Sequence, residues 1–319
     1  MKRRIPLLHV ITALIVLELI LAPILQVAQA QTAPPAISVG IPVNLTLTAT
    51  IAPNDTMAPH LYTWYFDGID DYVVIPLTVY GWSAITIQEW IYPYYPKANT
   101  LYGIFNQIGT HLSPDLAHTS LTTDNRVDYT YLNAVWNTRK PDGTATSFVF
   151  FSLYAYRNSW VNIVRRFDSA REFAGFINAS KVYSATVPSD YVTVLEQNPS
   201  TASCPDCYKR FVLGASTRLS NFINMMQYQL LIYKDKALSD SEVEWNYKYP
   251  DNPIRDKLFV WLRADPNNIR DIDGDGVLEW IDLSGYNNHG KIYGGAFLVQ
   301  PVKSAIRILP KARILKVLR

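Results

Sequence analysis

The chain has 319 residues, a net charge of +2 and a hydrophobic fraction of 49%. So apolar a composition excludes a disordered chain, and a charge so near zero excludes the strongly basic surface that nucleic acid would demand. With 21 Tyr, 8 Trp and 20 Pro against 14 Gly, the residues favour strands and turns over helices.

The first stretch reads as a targeting segment rather than part of the fold. Lys2, Arg3 and Arg4 precede an apolar run from Ile5 to Leu25, and Ala28-Gln29-Ala30 fits a small-residue cleavage site. Residues 1–30 are therefore a secretory signal peptide or, because the run is long enough to cross a bilayer despite Glu18, an uncleaved N-terminal anchor. Either reading places the remainder outside the cell or on its surface, with membrane contact only through this segment. Residues 31–60, rich in Thr, Ala and Pro, read as an extended spacer with one strand at Val43 to Thr50. Sequons at Asn44, Asn54 and Asn178 agree with export.

From Leu61 the pattern becomes one of short apolar runs. Tyr62, Trp64 and Phe66 alternate before Asp67-Gly68 turns the chain, and Tyr72 to Ile75 follows. Further runs cover Ile85 to Tyr92, Phe148 to Tyr156, Trp160 to Phe167, Glu172 to Ile177, Phe211 to Ala215 and Gln227 to Tyr233. Such spacing, with turn residues between, predicts an antiparallel sandwich or barrel. One helix is marked: Ser239 as N-cap with Glu242 three later forms a capping box, flanked by Leu238 and Val243 as a hydrophobic staple, and Pro250 stops it. Asp251 to Lys257 reads as a boundary, dividing a sandwich over 61–250 from a C-terminal extension over 251–319 that starts with a strand at Leu258 to Leu262.

These segments carry a resemblance. Phe66-Asp-Gly-Ile-Asp-Asp-Tyr-Val73 resembles the opening motif of LamG-like domains of the concanavalin A-like lectin/glucanase group. Thr86 to Pro93, Trp160 to Arg166, Phe211 to Ala215 and Leu231-Ile-Tyr233 with Ala237 to Glu242 are similar to its later motifs, in the family's order. The resemblance implies an all-β, two-sheet jelly-roll sandwich with one short helix and a small C-terminal β extension, acting in adhesion or carbohydrate binding. One segment departs from that order: Asp282-Leu-Ser-Gly-Tyr-Asn-Asn-His-Gly-Lys-Ile-Tyr-Gly294 resembles a motif that normally precedes the opening one. It either begins a truncated second unit, forms its own small β module, or pairs back onto the sandwich.

The sharpest chemical signal is Asp271 to Asp282. Asp271, Asp273, Asp275, Glu279 and Asp282 stand at positions 1, 3, 5, 9 and 12 of a loop with Gly276 at position 6, the spacing that curls hard oxygens around calcium. The expected ligands are those five side chains and the Val277 carbonyl, in a dockerin- or thrombospondin-type loop. Asp67, Asp70 and Asp71 form a second acidic rim cluster, read either as a metal site or as turn-capping groups. Tyr80, Trp82, Tyr92, Tyr94 and Tyr95 are either sugar-stacking or packing aromatics. Cys204 and Cys207, in an exported chain, are expected to close a disulfide; zinc would need two further ligands, and the five His are scattered.

Catalysis is not expected. A glucanase of this fold needs paired carboxylates on one strand face, but Glu89 stands alone and Glu242 and Glu244 lie on the helix. The expectation is a non-catalytic adhesion protein recognising a glycan or a cell-surface protein, with calcium as cofactor. The alternatives are a self-associating subunit of a surface layer or filament, in which the spacer or the basic tail from Lys303 to Arg319 joins neighbours by adding a strand to an open sheet edge, and, less favoured, a glycoside hydrolase.

Overall fold

The computed structural model describes residues 62–94, 156, 158–220 and 222–302, with 46–47, 102–109, 118–124, 131–140, 142, 145–152 and 305–308. The chain divides into two units, 1–43 and 44–319, of which the first lies outside the described residues. The targeting segment, Tyr95 and the tail beyond Ile308 also lie outside them. Among the described residues no helix is long and apolar enough to cross a membrane.

The second unit is a jelly-roll sandwich of two antiparallel sheets. One contains β1 (Thr46–Leu47), β2 (Thr63–Asp67), β4 (Ile85–Pro93), β9 (Val161–Phe167), β10 (Glu172–Ile177), β11 (Ser180–Thr186), β13 (Asn224–Lys234), β14 (Leu258–Arg263), β18 (Phe297–Val302) and β19 (Ala305–Ile308). Its order is β1-β19-β18-β2-β13-β4-β9-β10-β11, with β14 also on β13. The other contains β3 (Tyr72–Pro76), β5 (Tyr102–Gly109), β6 (His118–Asp124), β7 (Tyr131–Arg139), β8 (Ala145–Ser152), β12 (Arg210–Leu213), β15 (Ile269–Arg270), β16 (Glu279–Trp280) and β17 (Gly290–Tyr293), ordered β15-β16-β17-β3-β12-β5-β6-β7-β8.

The strand period of two explains the core. Leu230 and Ile232 of β13 face the other sheet, in a cluster with Trp64, Phe66, Val73, Ile75, Phe211 and Trp280. Leu231 and Tyr233 face the opposite way and join Val164, Phe176 and Trp261 in a second cluster. Helix α1 (Asp240–Lys248) covers that second face through Val243, together with Leu238 just before it. Its capping box is formed: the Ser239 hydroxyl accepts from Glu242 N–H, and the Glu242 carboxylate accepts from Ser239 N–H. The helix is why β4 is buried at all nine positions instead of alternating. Its outer-face Gln88 accepts from Asn246 of α1 at 3.0 Å and donates to Asn162 of β9 at 2.9 Å.

A polar network occupies the inner face. Glu89 of β4 and Arg165 of β9 are buried and ion-paired. Asn106 of β5, from the opposite sheet, donates to Glu89 at 2.6 Å and to Gln227 of β13 at 2.9 Å, and Arg165 donates to Thr119 of β6 at 3.1 Å. Asn106 lies in a bulge with φ +55°, a conformation Asn tolerates better than branched residues do. Burial pushes the Glu89 carboxyl up and the Arg165 guanidinium down, while their attraction opposes both shifts.

Two expectations change. The boundary at 251 is not a break in the fold, because residues 258–302 complete both sheets: β14 pairs with β13, β17 with β3 and β18 with β2. Of the three placements open to Asp282–Gly294, pairing back onto the sandwich is the one observed. Lys291, Ile292 and Tyr293 lie opposite Val74, Val73 and Tyr72, so the out-of-order motif sits directly beside the opening motif.

Candidate functional site: a cleft bordered by two acidic turns

The pairing of β17 with β3 opens a cleft of about 250 Å³ lined chiefly by Trp64, Leu278, Ile292, Tyr293, Ala296 and Phe297. Gly276 and Val277 of the acidic loop border it, as does Gly294, which packs on the Asp70 backbone. The buried indole Nε1 of Trp64, a lining residue, has no hydrogen-bond partner among the described residues. A buried donor left without a partner is costly to the fold.

The acidic loop brings Asp271, Asp273 and Asp275 together, with one oxygen of each within 4.8 Å of the others. The turn is held by its own carboxylates: Asp271 accepts from Gly274 N–H at 2.7 Å and Gly276 N–H at 3.0 Å, and Asp275 from Val277 N–H at 2.8 Å. Gly274 and Gly276 have φ of +76° and +84°, which admits glycine readily. Lys291 supplies the countercharge. The β16–β17 register sets it opposite Glu279, and its ammonium reaches Asp273 at 2.8 Å, Asp275 at 2.6 Å and Glu279 at 3.8 Å. Hydrogen bonds to Asp273 and Asp275 push Lys291 up, and Lys291 draws Asp275 down.

Asp282 stands apart from this cluster. Its carboxylate accepts from the N–H groups of Trp261 at 2.8 Å, Ser284 at 2.9 Å and Asn288 at 2.9 Å, pinning the turn before β17 to β14. It is thus a structural cap in this arrangement. Glu279 is buried and accepts from Ile272 N–H at 2.8 Å, so it closes the loop's base.

The second cluster, Asp67, Asp70 and Asp71, also has oxygens within 4.8 Å of one another. Asp71 is buried and accepts from Asp67 N–H at 2.9 Å and from Gly295 N–H, tying the opening turn to the turn that leads into β18. Burial pushes its carboxyl up to about 6, against the pull of those hydrogen bonds. A carboxyl raised on folding stabilises the fold below its unfolded value and loses that contribution as pH rises through the folded value. Relative to Asp71→Asn, the wild type therefore loses about 1–2 kcal/mol between about pH 4 and pH 6.5. Urea midpoints across that range check this; a wild type that holds or gains stability relative to the variant as pH rises would contradict the assignment.

The aromatic cluster does not form one face. Trp82 and Tyr92 are buried, Tyr94 packs against Tyr65 and Tyr92, and Tyr80 is exposed. Cys204 and Cys207 are joined as a disulfide across a single 3-10 turn. Reading the sequence missed Lys291, Trp64 and Phe297 as site residues; only the register of β17 and β18 brings them to the acidic loop and cleft.

No protein-family model matches the chain, and no curated protein sequence matches it. Solved structures do. A Bacteroides ovatus protein assigned provisionally to carbohydrate binding is similar with a TM-score of 0.51 at 12% identity, over 77% of this chain and 62% of that one. The chain thus spans under two thirds of that structure. The botulinum neurotoxin serotype D binding domain (TM-score 0.43, 12% identity, 83% of this chain and 73% of that one) and a heptameric pentraxin from Limulus polyphemus (0.39, 12%, 62% and 86%) are more distant. The first of these supports the jelly-roll fold described above and, at that identity, nothing finer.

Proposed function

We propose that the chain is a non-catalytic, exported binding module of the LamG-like, concanavalin A-like kind, which recognises a carbohydrate at the cleft and is ordered there by calcium. The observation that carries this reading is the cleft itself: a recess lined by Trp64, Tyr293 and Phe297 and bordered by an acidic loop. Sugars offer apolar ring faces to aromatic rings and hydroxyl groups to carboxylates at the rim. The Cys204–Cys207 disulfide supports an oxidising location. Glu89, the strand carboxylate best placed in sequence for catalysis, is buried and paired to Arg165, which supports a role other than hydrolysis.

The donor set suits calcium. Three carboxylates with oxygens within 4.8 Å match an ion whose ligands lie about 2.4 Å away. Asp271, Asp273 and Asp275 would hold it, with the Val277 carbonyl and Glu279 completing the set. Lys291 occupies the same charge well and must swing out. Calcium at about a hundredfold excess over Kd is expected to raise Tm by about 5 °C. Lys291→Met, which removes the competitor, is expected to tighten calcium binding about tenfold or more. A Tm indifferent to both calcium and chelator, in wild type and variant alike, rejects the calcium site. A neutral-glycan panel with and without chelator tests recognition, and an empty panel in both conditions rejects it.

A second reading, self-association, has one observation in its favour. Among the described residues β11 ends its sheet, with Lys181, Val182 and neighbours exposed and only β10 hydrogen-bonded to it, an edge to which another strand can add. Concentration-dependent assembly in sedimentation supports it; a monomer throughout removes it.

A further inference from the structure

A second surface carries a ligand preference of its own. Trp82, in the turn after β3, meets Phe259 of β14 edge to face at 5.4 Å, and Phe259 in turn meets Tyr286 at 4.8 Å. Tyr286 is 58% exposed, and the loop that carries it is anchored: Ser284 Oγ and Asn288 Nδ2 both donate to the Phe259 carbonyl, at 2.9 and 2.8 Å. Lys234, at the end of β13, holds its ammonium over two of these rings, 5.6 Å from Trp82 and 5.3 Å from Phe259.

The two neighbouring lysines differ in their partners. Lys236 is paired to Glu242 and Asp256. Among the described residues no carboxylate lies within ion-pairing distance of Lys234; nearby Asp235 accepts from Ser83 instead. Ring faces hold a cation without neutralising its charge. The result is a fixed ammonium beside an exposed aromatic ring, the pairing that suits a sugar ring bearing a carboxylate: the ring's apolar face lies on Tyr286 and the anion meets Lys234.

We propose that Lys234, Phe259 and Tyr286 form a binding platform for carboxylated saccharides, separate from the cleft. It rests on the reading of the chain as a carbohydrate-binding module but not on the cleft or on calcium. The test uses the whole chain and two probes, an oligogalacturonate and its methyl ester, in which each carboxylate charge is replaced by a neutral ester carrying one methyl group. The acid is expected to bind at least tenfold tighter than the ester, and more weakly as salt is raised. Lys234→Met keeps the stem over the rings and is expected to lose that tenfold preference, Lys234→Arg to keep it, and Tyr286→Ala to weaken both probes. Equal binding of acid and ester, an unchanged preference in Lys234→Met, or no binding of either probe overturns the platform. Neutral glycans retained in the panel under those outcomes would leave the binding-module reading standing; their loss as well would remove both.

Discussion

Arg165→Met is expected to destabilise the fold by about 3–5 kcal/mol, a large part of the 5–15 kcal/mol that holds an ordinary domain together. The substitution keeps most of the side-chain volume but leaves the Glu89 carboxylate charged and unpaired between the sheets, where both partners are buried. Asn106 still donates to Glu89, and one neutral hydrogen bond does not replace a guanidinium. Adding Glu89→Leu removes the stranded charge, so the double variant is expected to recover about 2 kcal/mol or more, although Asn106 and Thr119 each lose a partner. Urea denaturation of the four proteins completes the cycle. Additive losses would mean that the pair does not act as a unit.

Gly294→Ala is expected to cost about 3 kcal/mol or more, from two sources that add. The residue has φ +75°, and a methyl there would stand 2.3 Å from the Asp70 carbonyl oxygen and 2.7 Å from its carbon. Those are backbone atoms with no rotamer to change, so the turn joining β17 to β18 must move away from the opening turn. Gly276→Ala is the control: its φ is +84°, yet nothing lies within 4 Å of the added carbon. It is expected to lose only the conformational part, about 1–2 kcal/mol. Thermal melts of the two variants separate the contributions; equal losses would show that the close approach at Asp70 is not what matters.

Both predictions concern groups whose importance a reader of the chain sees unevenly. Glu89 stands in a run, Ile85 to Tyr92, that is legible as a strand, but nothing local says that its side chain meets Arg165, 76 residues on. Gly294 was visible as the end of a motif out of its usual order, without the contact that makes it glycine. Strands β5, β6 and β7 were not read as strands at all. β6 and β7 are rich in Thr and Asn, so their alternation is weak and partners rather than propensity hold them in the sheet, while in β5 the bulge between Phe105 and Ile108 breaks the alternation.

What the sequence determined by itself is therefore local: the opening turn at Asp67-Gly68, the strands with clear period-two runs, the capping box that starts α1, and the curl of the acidic loop around its glycines. Each depends on residues within a few positions of one another. The tertiary structure alone decided that residues 258–302 belong to the sandwich, that Lys291 lies in the acidic loop while Asp282 caps a different turn, and that Trp64 lines a cleft. The first and last of these depend on strand register between segments some two hundred residues apart, where a shift of one residue would turn every side chain to the opposite face, and the second on the nearer β16–β17 register and the contact of Asp282 with β14.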